Sequence, residues 1–193
     1  MPYLDPVDER ELEDVMAVYG EAEMEEIQVD VDRHLFQNRF LKSSDRRGEV
    51  VFAIQMPEGI LVHHKSFYGD GVFRLLSGGV DYGEKVVDAL RREIEEETSL
   101  TLSSGRLLGV QDCQLVYGSR SVRFVSYVFY VHAAGDLRPD PKENITEIRV
   151  VSMAELAAIA EDLRRTPPPH EGWGRWRALA HDLVYQRLME QSL

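Results

Sequence analysis

The stretch that most limits how this chain can fold is residues 75–100, LLSGGVDYGEKVVDALRREIEEETSL. An apolar run leads through a glycine-rich turn into a helix starting near Gly83. At 3.6 residues per turn Val86, Val87, Leu90 and Ile94 fall within about 100° of arc, a stripe that must pack inward. Glu93, Glu96 and Glu97 occupy an adjoining arc, because offsets of three and four residues return to one face. Like charges so placed repel, so either the helix face is simply solvated or the carboxylates converge on a divalent cation that takes oxygen ligands. Glu95 lies outside that arc and reads as solvated.

Around this unit the chain has the texture of an α/β domain. From Gly48 onward EVVFAIQM, GILVHHKSFY and GVFRLL are short apolar runs bounded by Gly, Pro or Asp, and each reads as a strand. GRLLGVQDCQLVY and VRFVSYVFYVHA flank GSRS and read as a hairpin; the polar loop GDLRPDPKEN and a strand over TEIRVVS follow. Ser152 with Glu155 three positions on marks a helix start, and after TPPPHEG a last amphipathic helix closes the chain. Residues 1–45 read as an acidic helical appendage, with Leu12, Val15, Met16 and Tyr19 on one side of a helix through ERELEDVMAVYGEAEMEEIQV. Residues 46–193 read as the main domain.

Charge narrows the partners. The net charge is −12 over 193 residues, and residues 1–45 hold thirteen Asp and Glu against four Lys and Arg. Such a surface argues against a nonspecific nucleic-acid groove or an anionic membrane. No apolar run is long enough to span a bilayer, and MPYLDPVDERELEDV is acidic where a signal peptide would be basic and then apolar. The single Cys113 allows no internal disulfide, which with the rest points to a cytoplasmic setting.

The residues of the central stretch match a known signature. Gly78, Glu84, Arg92, Glu93, Ile94, Glu96, Glu97 and Leu100 fall in order on G-x5-E-x7-R-E-U-x-E-E-x-G-U, where U is a bulky aliphatic, and Ser99 stands where the pattern has Gly. The chain thus resembles the Nudix hydrolases, closely over 78–100 and more loosely over about residues 48–160. The resemblance implies an α/β/α sandwich with a mixed sheet, and hydrolysis of a nucleoside diphosphate linked to another group, ADP-ribose-like or otherwise. It implies Mg2+ or Mn2+ on Glu93, Glu96, Glu97 and the Gly78 carbonyl. Arg92 would fix a carboxylate rotamer, and Glu84, Ile94 and Ser99 would serve the structure of the motif. Family members take their general base either from the glutamate after the arginine, here Glu93, or from a later loop, where Glu143 and Glu147 stand; Glu93 is the first choice and Glu147 the reserve. Arg120, Arg123 and Lys65 are available for substrate phosphates, and Tyr117 sits at a spacing reminiscent of diadenosine polyphosphate hydrolases. Appendages of this kind build homodimers in ADP-sugar diphosphatases of the family. The rival reading is a Nudix-fold module that binds a nucleotide without cleaving it.

A left-handed residue commonly ends a helix, so Ser99 in place of Gly is expected to carry a strain of about 1 kcal/mol.

Overall fold

The computed structural model describes residues 7–37 and 46–190. In chain order the elements are α1 (Glu9–Tyr19), β1 (Met24–Asp30), the one-turn α2 (Arg33–Phe36), β2 (Arg46–Met56), β3 (Gly59–Lys65), β4 (Leu76–Asp81), α3 (Val86–Thr98), β5 (Thr101–Tyr117), β6 (Arg120–Ala134), a 3-10 turn (Pro141–Glu143), β7 (Ile145–Val151), α4 (Met153–Arg164) and α5 (Glu171–Glu190). The seven strands among the described residues make one mixed sheet in the order β1-β5-β6-β2-β3-β7, with β4 also on β2. β1 runs parallel to β5 and β2 parallel to β6, while β5–β6, β2–β3, β2–β4 and β3–β7 are antiparallel.

Strand alternation divides the core into two layers. Val50, Phe52, Ile54, Leu61, Leu76, Tyr127 and Phe129 turn to one face and meet Val86, Leu90 and Ile94 of α3 together with Val15 and Tyr19 of α1. Val51, Ala53, Val62, Leu75 and Val128 turn to the other and meet Leu156 of α4 and Leu183 and Val184 of α5. The result is the α/β/α sandwich with a mixed sheet. β2 lies inside that sheet with both faces covered, which is why VVFAI is a continuous apolar run without alternation. α4 begins with a capping box: Ser152 Oγ accepts from the Glu155 N–H, and the Glu155 carboxylate accepts from the Ser152 N–H at 2.7 Å.

Three expectations need correction. The N-terminal helix does not run through to Val29: it stops at Gly20, whose φ of +92° suits glycine, and the chain then enters β1. Short-range periodicity in this charged segment looks helical, but the backbone of 24–30 gains a full row of partners from 110–116 of β5. Second, GVFRLL is not a strand; only Arg74 makes a bridge, with His63, and β4 starts at Leu76. Gly78 and Gly79 are therefore in a strand and not in a turn. Third, α3 starts at Val86, not near Gly83.

The start of α3 is unusual. Its cap residue, Lys85, gives no side-chain hydrogen bond. A carboxylate from α1 takes that place: Glu11 Oε1 accepts from the Val86 N–H at 2.8 Å and from Arg47 Nη2 at 2.9 Å. Glu11 and Arg47 are both buried. A negative charge at a helix N-terminus satisfies an orphan donor and meets the positive end of the dipole. The expected domain boundary at residue 45 lies outside the described residues, but α1 and β1 share the core and the sheet built by residues 46–190.

Candidate active site

The carboxylate face of α3 lies over β4. Val50 of β2 pairs with Gly78, on the α3 face of the sheet. A β-carbon at Gly78 would stand 1.7 Å from Glu93 Cδ, so the carboxylate of Glu93 fills the space that any other residue would take. Here glycine is needed for room, not for backbone freedom; its φ is not in the left-handed region. Ile94, wholly buried, anchors the helix by its adjoining face.

Arg92 organises the outer side of this face. Its guanidinium donates to Glu84 Oε1 at 2.9 Å and Oε2 at 3.0 Å, to Glu93 Oε1 at 2.7 Å, to Glu96 Oε2 at 3.0 Å and to the Gly79 carbonyl at 2.9 Å. A planar fork with fixed donors can hold three carboxylates and a strand carbonyl in one arrangement. These carboxylates keep Arg92 charged far above its ordinary range. Burial would raise the Glu84 carboxyl, but its hydrogen bonds from Arg92 and from the Asp81 N–H outweigh it and hold it low. Glu84 thereby ties the loop between β4 and α3 to the arginine.

The inner side is dry. Glu97 is completely buried; its Oε2 accepts from the Ser77 N–H at 3.2 Å, and Lys65 Nζ makes an ion pair with Oε1 at 2.7 Å. Burial pushes the Glu97 carboxyl up to about 7 against the pull of Lys65 and Arg74. Glu93 is also raised, first by burial, and the charges of Glu96 and Glu143 add to it while Arg92 opposes. His63 lies behind Glu97, with Nδ1 3.8 Å from Glu97 Oε2 and neither ring nitrogen hydrogen-bonded. Burial holds its pKa well below the usual value, so it is neutral.

The later loop sends one of its two glutamates here. Glu143 closes the 3-10 turn and accepts from Lys65 Nζ at 3.0 Å. Glu147 faces His64 across the β3–β7 pair and holds Arg149 at 2.7 Å, with about half of each side chain exposed. Two of the substrate-phosphate candidates, Arg120 and Arg123, lie elsewhere too. Arg123 grips Asp112 at 2.8 Å through Nε and again through Nη2. Arg120 stacks over Phe36 and Tyr117 at the tip of the β5–β6 hairpin. Tyr127 is level with Val50 and hence with Gly78. Arg120 is seven positions from it along β6, roughly 23 Å of strand at ~3.3 Å per residue. Lys65, read as a phosphate contact, is engaged by two carboxylates. Its position in an apolar strand was the signal for burial, and its partners lie too far away in sequence to be guessed.

These residues fit a hard divalent cation in kind. Arg92 holds Glu84, Glu93 and Glu96, Lys65 holds Glu97 and Glu143, and Arg74 also acts on Glu97; Glu93 and Glu97 are raised by burial, and every side-chain donor is an oxygen. Among the described residues no three acidic, cysteine or histidine side chains are already grouped as a ready metal cage. Arg92 and Lys65 hold those oxygens in the present arrangement, so a cation would compete with them.

A sandwich that lays a glutamate-rich helix against a strand glycine defines a hydrolase of the Nudix class. The NUDIX domain model matches residues 45–173, and the chain belongs to that family. In fold it is similar to a MutT NUDIX hydrolase from Burkholderia pseudomallei, with a TM-score of 0.52, 23% identity and coverage of 72% of this chain and 97% of that one. A NUDIX hydrolase from Nitrosomonas europaea gives a TM-score of 0.51 at 18% identity, over 72% of this chain and 87% of the other. In sequence, a stretch of 94 residues is 31% identical to an NAD-capped RNA hydrolase, NudC, of Edwardsiella ictaluri (strain 93-146), covering 49% of this chain and 35% of that relative. The match thus spans about a third of the relative's length. No helix among the described residues is long and apolar enough to cross a membrane.

Proposed function

We propose that this Nudix hydrolase cleaves the diphosphate linkage of a nucleoside diphosphate joined to a second group, by attack of water on phosphorus, with Mg2+ or Mn2+ held by Glu93, Glu96, Glu97 and the carbonyl of Gly78. The observation that carries the reading is Glu93 pressed against Gly78 and locked there with Glu96 by Arg92, with Glu97, its carboxyl raised by burial, close enough for the charge of Glu93 to add to that rise. A bound divalent cation supplies neutralisation of the phosphate oxygens and a nucleophile available near neutral pH.

The protein groups do the rest. Arg92 holds one oxygen of Glu93 and one of Glu96, so the two carboxylates keep a fixed spacing. Glu93 takes the proton of the attacking water from its place against Gly78. The similarity to an NAD-capped RNA hydrolase brings dinucleotide diphosphates of the NAD type into the substrate class beside ADP-ribose. The test is product release from a panel of NAD, NADH, ADP-ribose, diadenosine polyphosphates and nucleoside triphosphates, with Mg2+ and with chelator. Hydrolysis that needs the metal and falls at least a hundredfold in both Glu96→Gln and Glu97→Gln supports the reading. Near-normal turnover in both variants refutes it, and nucleotide binding without cleavage by the unmodified chain would favour the silent-module reading.

A further inference from the structure

We propose that Lys65 is a positioning residue: its ammonium clamps Glu143 of the later loop to Glu97 of α3, and so fixes where a fourth carboxylate stands beside Glu93. The clamp deepens the hydrolase reading above and is built from residues outside the helix motif.

Lys65 is the last residue of β3, at a break in pairing where His64 faces Glu147 but Lys65 faces Ile145. It is 8% exposed, and its Nζ lies 2.7 Å from Glu97 Oε1 and 3.0 Å from Glu143 Oε2. An ammonium gives up its water only where carboxylates replace it, and truncating one side of such a pair leaves the other charge buried alone. The surrounding backbone is set to match. The Ser66 N–H donates to the Asn144 carbonyl at 2.9 Å, joining the chain just past Lys65 to the chain just past Glu143. At the other end of the loop, the Arg138 N–H donates to the Thr98 carbonyl at 2.8 Å and the Asp140 N–H to the Glu96 carbonyl at 3.0 Å, so open carbonyls of α3 hold it. Between these anchors the backbone of Pro141–Glu143 makes a single 3-10 turn, and Asp140 caps it. Backbone contacts at the two ends thus bring Glu143 to the site, and the Lys65 ion pair holds the turn between them, with its carboxylate, in place. Glu147, three residues past Asn144, has no such cation within the core and pairs with Arg149 in solvent.

The experiment combines kinetics with amide hydrogen exchange on the full chain. Lys65→Met keeps the length of the stem and removes the charge. We expect Lys65→Met and Glu143→Ala each to lower kcat at least tenfold with KM changed less than threefold. The double variant should be no worse than the slower single by more than twofold, and residues 136–144 should exchange faster in both singles while β2 and β6 do not. Multiplicative effects in the double variant, or unchanged exchange over 136–144, overturn the clamp. If Lys65→Met does not fold, Glu143→Ala alone decides: normal exchange in its loop overturns the proposal. The exchange measurement stands apart from the hydrolase reading. A chain that cleaves nothing but shows the expected loosening would sink that reading and leave the clamp, whereas metal-dependent hydrolysis with an unmoved loop would do the reverse.

Discussion

Glu93 occupies the space in front of Gly78 that a side chain would fill, its Cδ 1.7 Å from where a β-carbon would stand. Two positions fifteen residues apart are therefore one device: the strand gives up a side chain so that the helix can press a carboxylate against its backbone. Gly78→Ala must push Glu93 aside, and with it the Arg92 bond at 2.7 Å. We expect at least a hundredfold loss in kcat with an overpacking cost of about 1–3 kcal/mol. Steady-state kinetics beside a melting curve would check it; full activity in Gly78→Ala would show that Glu93 works from another place.

Glu11 links the N-terminal segment to the start of the motif helix through Arg47 and the Val86 N–H. Glu11→Ala leaves Arg47 buried without this carboxylate and exposes an orphan donor on α3. The expected loss is about 3–5 kcal/mol, in the range for breaking one side of a buried pair. At about 2–4 °C per kcal/mol for a chain of this size, the melting temperature should drop by about 6 °C or more. A chain starting at residue 46 loses Val15, Tyr19 and all of β1, and should fail to show a cooperative melt. A truncated chain that melts like the parent would refute this.

Ser99 ends α3 at φ +60° and ψ +12°, the left-handed conformation. Its hydroxyl donates to the Arg138 carbonyl. Ser99→Gly relieves about 1 kcal/mol of strain but loses a solvent-exposed hydrogen bond of about 0.5 kcal/mol. The net is a gain of about 0.5 kcal/mol and a rise of about 1–2 °C in Tm. Ser99→Ala keeps the strain and loses the bond, so it should fall below the parent by about 0.5 kcal/mol. Calorimetry on the pair decides it: a drop for Gly, or no difference between the two, contradicts the account.

His181 of α5 is a buried imidazole with both nitrogens in use. Its Nε2 accepts from the Leu75 N–H at 3.0 Å, which leaves the proton on Nδ1 to donate to the Arg177 carbonyl at 2.9 Å. Burial pushes its pKa down to about 3, helped by the charges of Arg74 and Arg177. A depressed folded value means that stability from this group is present above the unfolded pKa of about 6.5 and lost as pH falls towards 3. The ceiling is on the order of 5 kcal/mol. The melting temperature should therefore decline below about pH 6.5, and His181→Gln, which titrates nowhere in this range, should flatten the decline even if it starts lower. An identical acid slope in the variant would remove His181 from the explanation.

The central layer was legible because its signals are local. The stripe Val86, Leu90, Ile94 and the adjoining glutamates are one helix read at one period, and α3 lies where that period puts it, shifted only at its start. The shift has a distant cause: a helix capped by Glu11, seventy-five residues earlier, carries no mark of its beginning in its own first turn. β1 was missed for a related reason. Its own burial pattern is almost entirely exposed, with Val29 the one buried residue, so nothing in MEEIQVD reports the backbone partner that makes it a strand. At the site, spacing pairs Glu93 with Glu96, which share Arg92, but nothing local tells that Glu97 is wholly buried on Lys65 instead. The partnership of Lys65 with Glu97 and Glu143 depends on two crossings of the sheet, which no periodicity encodes.

The parallel pairing of β1 with β5, Met24 opposite Val110 and Asp30 opposite Val116, carries a consequence for biosynthesis. At about 5–20 residues per second a ribosome releases the partner strand on the order of ten seconds after β1 itself. During that interval the acidic segment has no place to dock, and its dense negative charge keeps it extended and soluble while it waits. β1 is then an early-made, late-fitted strand, and the charges that hide it from sequence patterns also protect its unpaired edge from other nascent chains.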